Sequence, residues 1–329
     1  MIRTLIAGFK AAGLQSGDVV CVHAFNSILY PILYFSIIGA GGIFVGSNPA
    51  YKTLELRHLI SITEPKCCII EAKLLEDALP VITTCVPLTW TFVLGTDNAE
   101  LGLHDCRSWS ELLQHGEEDW LRINDAKTAK STIAVLQSTS GTTGLPKVAA
   151  SSHYALVASG IAMRETAPRP YEVTRLISLP LFHSFGASFV QIAAFRYGER
   201  TYIMRRFKVE EFASALQRFK ITESGVVPAM LACILDNGIS SLALKSLRRV
   251  WCAGMSLSLP TRKAMYMRLH EDAAISQVWG MTEFGRIASS DWGEKFDDGS
   301  VGRLLPNTEL RYVAASSRNA TVVNIHSGL

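Results

Sequence analysis

Apolar positions follow two alternating patterns along most of the chain. Stretches with helical spacing alternate with short apolar runs typical of buried strands. The predicted helices cover residues 2–12, 27–38, 53–62 and 208–219. The predicted strands cover residues 18–25, 42–46, 66–70, 133–136, 176–179 and 201–204. This β-α-β alternation predicts an α/β fold with largely parallel sheets covered by helices, and Thr53 is the expected N-cap of the third helix.

One uncharged segment, residues 27–49, is long enough to be mistaken for a membrane span. Pro31, the glycines between Gly39 and Gly42, and Asn48-Pro49 interrupt it. Because proline and glycine break regular elements, we predict a helix, a turn and a strand here, and no span.

Composition and charge narrow the range of partners. The 329 residues carry 32 basic and 29 acidic side chains, a net charge of +3, without a basic block. This balance argues against a nucleic-acid partner. Seven cysteines form no C-x-x-C pair and no zinc-like pattern with histidine, and Met1 is not followed by a secretory signal pattern. We therefore expect reduced thiols and a cytoplasmic protein without a structural metal site.

The most informative residues follow the predicted strand 133–136. Ser138-Thr-Ser-Gly-Thr-Thr-Gly-Leu-Pro-Lys147 holds five hydroxyl residues and two glycines and ends in a cation. Backbone N–H groups, hydroxyls and one lysine together are suited to bind a phosphate chain. A flexible linker is the alternative, but a linker rarely ends in Leu-Pro-Lys ahead of an apolar segment. The spacing differs from the Walker P-loop, so the loop predicts nucleotide-phosphate binding of another kind.

This loop resembles the signature of the adenylate-forming superfamily, and three later stretches match the same family in order. They are Leu179-Pro-Leu-Phe-His-Ser-Phe-Gly186, Ser276-Gln-Val-Trp-Gly-Met-Thr-Glu283 and Gly299-Ser-Val-Gly-Arg-Leu-Leu-Pro306. His183 and Met281 favour the acyl- and aryl-CoA ligase branch, which includes 4-coumarate–CoA ligase. The resemblance implies a layered αβαβα large domain with part of a small β-barrel. It also implies ATP-dependent conversion of a carboxylic acid to an acyl-adenylate and then to a thioester with CoA.

The resemblance assigns a role to each motif residue. Those expected to hold the triphosphate are Thr139, Ser140, Gly141, Thr142, Thr143, Gly144 and Lys147. Thr282 would contact the α-phosphate, and Glu283 would place Mg²⁺, a hard ion suited to carboxylate oxygen. The wall beside the adenine or the acyl group would be formed by Gln277, Val278, Trp279 and Gly280. Lys147, Thr282, Glu283 and His183 are the expected catalytic residues.

Other residues are expected to contact the substrate acid or the thiol. His183, Phe185, Gly254, Met255 and Trp279 are the expected substrate pocket. Phe185 stands where hydroxycinnamate ligases tend to carry tyrosine, which favours an aliphatic or unsubstituted aryl acid, and Met255 is expected to narrow the pocket. Arg206 falls near a CoA-contacting lysine of relatives.

The resemblance covers residues 1–313, leaving 314–329 as an unmatched tail, and it begins within the family's first helices. The mobile C-terminal domain, with its lysine that contacts the reacting carboxylate and phosphate, has no counterpart in these residues. Three functions therefore remain open. They are an acyl-CoA ligase, a pseudoenzyme that binds ATP or an acyl-adenylate without efficient turnover, and an adenylation domain that loads a carrier protein. The C-terminal Ser-Gly-Leu329 lacks the basic middle residue of a peroxisomal address.

Overall fold

The computed structural model describes residues 1–95, 106–139, 146–163, 168–295, 299–313 and 322–326. The chain divides into two compact units, Met1–Val157 with Pro180–Phe195, and Ala158–Leu179 with Arg196–Leu329. Each unit contains its own parallel sheet. The predicted α/β class with parallel sheets is confirmed.

The first unit is built around a seven-stranded sheet of order β5-β4-β3-β1-β2-β6-β7. Its strands are β1 (Val19–His23), β2 (Ile43–Ser47), β3 (Cys67–Glu71), β4 (Thr91–Leu94), β5 (Arg107–Ser108), β6 (Ile133–Ser138) and β7 (Val148–Ser152). Its helices are α1 (Ile2–Ala11), α2 (Leu29–Gly39), α3 (Thr53–Thr63), α4 (Leu75–Ile82) and α5 (Ala126–Ser131). Single 3₁₀ turns lie at Ala72–Leu74, Leu88–Trp90 and Trp109–Leu113. All neighbouring strands are parallel except β6 and β7.

Continuing along the chain, α6 (His153–Ala162) contains the unit boundary at Val157. The returning segment of the first unit adds α7 (Ser184–Ala187) and a π-helix, Ser188–Ala194, and α8 (Phe195–Tyr197) follows. A core forms where α3 and α4 cover β1 to β4, as Leu56, Leu59 and Ile82 pack against Cys21 and Cys68. Burial of these side chains provides the main stabilisation of this face.

The second unit is built around a five-stranded parallel sheet of order β12-β11-β10-β8-β9. Its strands are β8 (Thr174–Ile177), β9 (Arg200–Ile203), β10 (Glu223–Val226), β11 (Arg249–Cys252) and β12 (Ala274–Gln277). Its helices are α9 (Val209–Arg218), α10 (Pro228–Asp236), α11 (Ser241–Leu244) and α12 (Leu259–Tyr266). Two small antiparallel sheets follow, formed by β13 (Trp279–Met281), β14 (Gly285–Ser289) and β15 (Arg303–Leu304), and by β16 (Glu309–Val313) and β17 (Val322–His326).

The predicted helices and strands are present in the structure, and the differences concern their ends. Thr53 is wrong as the N-cap, because it is the first residue of α3 and the N-cap is Lys52, one residue earlier. The Glu55 carboxylate accepts the backbone N–H of Lys52 at 2.7 Å and so fixes that start. The uncharged segment forms α2 and β2 as predicted. Among the helices that the structure describes, none has the length and hydropathy needed to cross a bilayer.

A buried ionic cluster stabilises the second unit at the amino ends of its strands. The Glu223 carboxylate, fully buried at the start of β10, accepts hydrogen bonds of 2.7–3.2 Å from the side chains of Arg169, Arg175, Tyr171 and Trp251. Burial alone would raise its pKa, but the guanidinium groups of Arg175 and Arg169 lower the pKa of Glu223 to about 2. This carboxylate is therefore ionised at neutral pH, and its charge is balanced by arginine.

Candidate functional site

The hydroxyl- and glycine-rich loop connects two antiparallel strands, β6 and β7. Beyond the last strand pair, Ser138 with Val148, the Thr139 N–H donates to the Lys147 carbonyl at 2.8 Å and closes the base of the loop. The Lys147 side chain is exposed and has no partner within the described part of the chain. Because β6 lies parallel to β2, the loop leaves the carboxyl edge of the sheet, where open α/β sheets bind ligands.

The remaining loop residues predicted to contact phosphate lie outside the described residues. They are Ser140, Gly141, Thr142, Thr143 and Gly144.

His58 is a residue that the sequence analysis missed. It lies on α3 and is half-buried, and its Nε2 lies 2.6 Å from the carbonyl of Pro146, the residue before Lys147. Since a carbonyl only accepts, Nε2 is the donor. The exit of the loop is thus anchored to the body of the first unit. No sequence motif indicated this contact, which joins residues 88 positions apart.

His183 belongs to the first unit and is the N-cap of α7. Its Nδ1 accepts the backbone N–H of Phe185 at 3.2 Å, which leaves the proton of the neutral ring on Nε2. The surrounding protein partly desolvates the ring and lowers the pKa of His183 from its ordinary value. Nε2 is therefore available as a hydrogen-bond donor at neutral pH. The ring of Phe185 packs edge-on against Phe189, with 5.3 Å between the ring centres.

The segment before His183 lies on β2, next to the strand that carries the loop. A Cβ at Gly46 of β2 would lie 2.8 Å from the Cβ of Phe182, so only glycine allows this approach. In the sheet, β2 pairs with β6, with Val45 opposite Leu136. The structure therefore brings two predicted site segments, those of Lys147 and His183, to one edge of the first unit.

In the second unit, the Trp-Gly-Met-Thr-Glu stretch forms a hairpin and not a helix start. Trp279 and Met281 lie on β13, and Thr282 and Glu283 lie in the turn before β14. A Cβ at Gly280 would lie 2.5 Å from the Gly285 carbonyl, so the tight pairing requires glycine there. The Glu283 carboxylate is exposed and has no partner among the described residues. It is free to bind a cation.

Gln277 and Val278 lead into this hairpin and are buried. Oε1 of Gln277 accepts the backbone N–H of Leu257 and an N–H of Arg262, both at 3.2 Å. The side chain of Gln277 thus fixes the segment that follows β11, and only its backbone remains to shape a ligand wall.

Gly254 and Met255 lie in that segment, beside the hairpin. The strands β11 and β12 are parallel neighbours, with Cys252 opposite Gln277. Gly254 adopts a φ of 89°, which favours glycine, and the Met255 side chain is 76% exposed. The exposed Arg206 follows β9, which β10 and β8 separate from β11. The structure therefore groups Gly254 and Met255 with the hairpin and leaves Arg206 apart from them.

Known proteins are similar to this chain over nearly its whole length. A family model described as AMP-binding enzyme matches residues 1–321. The chain is 36% identical over 327 residues to phenylacetyl-CoA ligase epaB of Aspergillus niger. This alignment covers 98% of the chain and 61% of that protein. The chain is 33% identical over 337 residues to nicotinic acid-CoA ligase olcI of Penicillium canescens, covering 95% of the chain and 61% of the relative.

Among solved structures, a long-chain-fatty-acid-CoA ligase (FadD1) of Archaeoglobus fulgidus superposes with a TM-score of 0.83 at 21% identity. The match covers 98% of this chain and 64% of that one. At such identity the likeness shows the fold alone. The chain spans about three-fifths of the length of the curated relatives it matches.

Proposed function

Because this chain belongs to the AMP-binding enzyme family, we propose that it takes part in ATP-dependent activation of a carboxylic acid, followed by thioester formation with CoA. The predicted membership of the adenylate-forming enzymes, in the acyl-CoA ligase branch, is thereby confirmed. The boundary at residue 313 stays a prediction. The observation that carries the proposed function is Lys147, which is exposed, has no partner among the described residues and ends a hydroxyl- and glycine-rich loop.

In the first unit, Lys147 and Thr139 contact the phosphates of ATP together with the loop residues 140–144. An ammonium group without a carboxylate partner fits an anion, and charge-assisted hydrogen bonds to phosphate are strong. His58 keeps the loop exit in place through the Pro146 carbonyl. The carboxylate of the acid then attacks the α-phosphorus, and pyrophosphate leaves. His183 lines the acid pocket and donates from Nε2.

In the second unit, Thr282 contacts the α-phosphate and the exposed Glu283 carboxylate holds Mg²⁺. A free carboxylate oxygen is the ligand that this hard cation prefers. The ion supplies positive charge that neutralises the phosphates when it is bound. Trp279 offers an exposed ring to adenine or to the acyl group. In the second half-reaction the thiol attacks the acyl carbonyl, and AMP leaves.

Lys147→Ala is expected to weaken ATP binding by ~10- to 150-fold, because one charge-assisted contact is worth ~1.5–3 kcal/mol. Folding is expected to be unchanged, since the side chain is exposed and unpaired among the described residues. Calorimetric titration with Mg-ATP measures the change. Lys127→Ala, which removes an exposed lysine of α5, is the matched control. Equal affinities of Lys147→Ala and the parent chain would remove the loop from the site.

We propose that the acid is aliphatic or an aryl acid without a phenolic hydroxyl. Phe185 presents an apolar ring backed by Phe189, and neither ring offers a hydrogen-bond partner to a hydroxyl group. A hydroxylated acid would lose its bonds to water in such a pocket without replacement. The names of the relatives, phenylacetyl- and nicotinic acid-CoA ligase, support an aryl acid.

Phe185→Tyr is expected to shift selectivity towards hydroxylated acids such as coumarate by ~5- to 10-fold relative to benzoate, the gain of one hydrogen bond. Competition between coumarate, benzoate and medium-chain acids, read as binding or as adenylate formation, measures the shift. Phe189→Tyr, at a buried position behind Phe185, serves as the control. An unchanged preference of the Phe185 variant would mean that the pocket has been placed wrongly.

The thiol acceptor is proposed to be CoA, as the names of the relatives support. A carrier protein is the alternative acceptor. Transfer of the acyl group to CoA, compared with transfer to a phosphopantetheinyl carrier, separates the two.

A further inference from the structure

The peptide groups on both sides of Leu181 are held by two buried side-chain amides. Oδ1 of Asn26 accepts the Leu181 N–H at 2.9 Å, and Nε2 of Gln191 donates to the Leu181 carbonyl at 3.3 Å. The three residues are 1–8% exposed. A buried backbone outside a sheet must find such partners, because an unpaired N–H or carbonyl there is costly.

The two amides come from separate parts of the first unit. Asn26 follows β1 at the carboxyl edge of the sheet, and Gln191 lies in the π-helix Ser188–Ala194. π-helical turns are rare and are frequently found at functional sites. Gly46 of β2 provides the space in which the neighbouring Phe182 backbone lies. We call the pair Asn26 and Gln191 the Leu181 clamp.

The clamp acts two residues before His183. Consecutive Cα atoms are ~3.8 Å apart, so His183 lies within ~7 Å of Leu181. The His183 N–H also donates to the Pro180 carbonyl at 3.3 Å, and this turn links the two positions. Phe185 is then placed by α7, which starts at Ser184. A shift of Leu181 would move the donor of His183 and the apolar wall of Phe185 together.

Packing alone does not explain a glutamine at position 191, because burying its amide costs desolvation free energy. Its Oε1 is buried and has no hydrogen-bond partner among the described residues. The bond to Leu181 is therefore the contact that orients the amide. An apolar side chain of similar size would avoid the desolvation penalty of that oxygen. A buried polar atom without a hydrogen-bond partner is expected mainly where function requires it.

We propose that Asn26 and Gln191 are positioning residues that set the acid-binding segment Leu181–Phe185, and with it acid affinity. This rests on the proposed function, in which His183 and Phe185 contact the acid. The Leu181 clamp acts through two hydrogen bonds to Leu181, and neither of these bonds involves the phosphate loop or its anchor His58. Its loss should therefore change acid binding and leave ATP binding unchanged.

Four variants test the Leu181 clamp. Two of them remove a hydrogen bond to Leu181, one is conservative and one is a control. Asn26→Leu removes the acceptor of the Leu181 N–H, and Gln191→Met removes the donor to the Leu181 carbonyl, whereas Asn26→Asp keeps an oxygen acceptor for the Leu181 N–H. Thr63→Val removes a buried side-chain bond of the same kind, from Thr63 to the Leu59 carbonyl on α3. Phenylacetate and benzoate are titrated calorimetrically into each chain saturated with a non-hydrolysable ATP analogue, and Mg-ATP is titrated separately.

Asn26→Leu and Gln191→Met are expected to weaken acid binding by ~10-fold, the effect of one hydrogen bond, with ATP affinity within about twofold of the parent. Asn26→Asp should retain acid affinity within about threefold, and Thr63→Val should change neither affinity. Hydrogen exchange gives a readout that is independent of ligand. The Leu181 amide should exchange at least ~10-fold faster in Asn26→Leu, because its acceptor is gone.

The outcomes separate the two proposals. If His183→Ala weakens acid binding while Asn26→Leu and Gln191→Met do not, the clamp is refuted and the proposed function stands. Equal losses for acid and ATP, or a loss in Thr63→Val as large as in the clamp variants, would show a merely structural role. If no acid in the panel binds the parent chain, both proposals fail. Should Asn26→Leu not fold, Gln191→Met, which keeps the side-chain volume, decides the test.

Discussion

Residues 1–329 expressed alone are expected to bind Mg-ATP but to form acyl-adenylate slowly. The rate should be at least ~100-fold below that of the same residues joined to the C-terminal domain of a full-length acyl-CoA ligase. This factor corresponds to a difference of ~2.7 kcal/mol in activation free energy. The first half-reaction brings two anions together, the carboxylate and the α-phosphate. In the proposed function, Lys147 and a cation bound by Glu283 would hold ATP. Alignment of the carboxylate needs a further lysine and a closing lid, which the family's C-terminal domain supplies.

Single-turnover pyrophosphate release measures this deficit. The joined chain, and the same domain added in trans, should each recover part of the rate. The matched control is the joined chain with the lysine of the added domain replaced by alanine, which should remain slow. If residues 1–329 alone turn over as fast as the joined chain, a residue of this chain does the work of that lysine.

Glu223→Gln is expected to destabilise the second unit by ~3–5 kcal/mol, the usual cost of removing one partner from a buried ion pair. Arg169 and Arg175 would keep their ion pairs with Glu199 but would lose the charged carboxylate that they share at Glu223. Removing the charge therefore leaves buried guanidinium groups undercompensated. Urea unfolding followed by circular dichroism at pH 7 measures the loss. At this pH, Glu223 is ionised because its pKa is about 2.

An exposed ion pair of the same unit gives the control. The carboxylate of Glu172 lies 3.8 Å from the guanidinium of Arg200, and both side chains are more than half exposed. Because water and salt screen such pairs, Glu172→Gln should cost less than ~1 kcal/mol. Similar losses for Glu223→Gln and Glu172→Gln would contradict the assignment of the Glu223 cluster as the main ionic support of this unit.

Part of the fold could be predicted because its signals are local. The helices α1, α3 and α9 and the strands β1, β2 and β3 each carry a periodic pattern within a few residues of sequence. Their alternation implies parallel sheets, since parallel strands need a crossover that is usually a helix. The start of α3 at Thr53 was predicted correctly, but its N-cap was not, because the Glu55 carboxylate reaches back to the Lys52 N–H and makes Lys52 the N-cap.

The sequence by itself determined the α/β class and the hydroxyl- and glycine-rich loop ending at Lys147. These follow from composition and spacing within short windows. Only the tertiary structure decided which side chains hold the functional segments in place. His58 meets the Pro146 carbonyl across 88 positions, and Asn26 meets the Leu181 N–H across 155. Such hydrogen bonds satisfy buried backbone groups of loops, and the partner is chosen by which elements pack side by side. No periodicity near Asn26 or Leu181 records that choice, so it exists only once the sheet has formed.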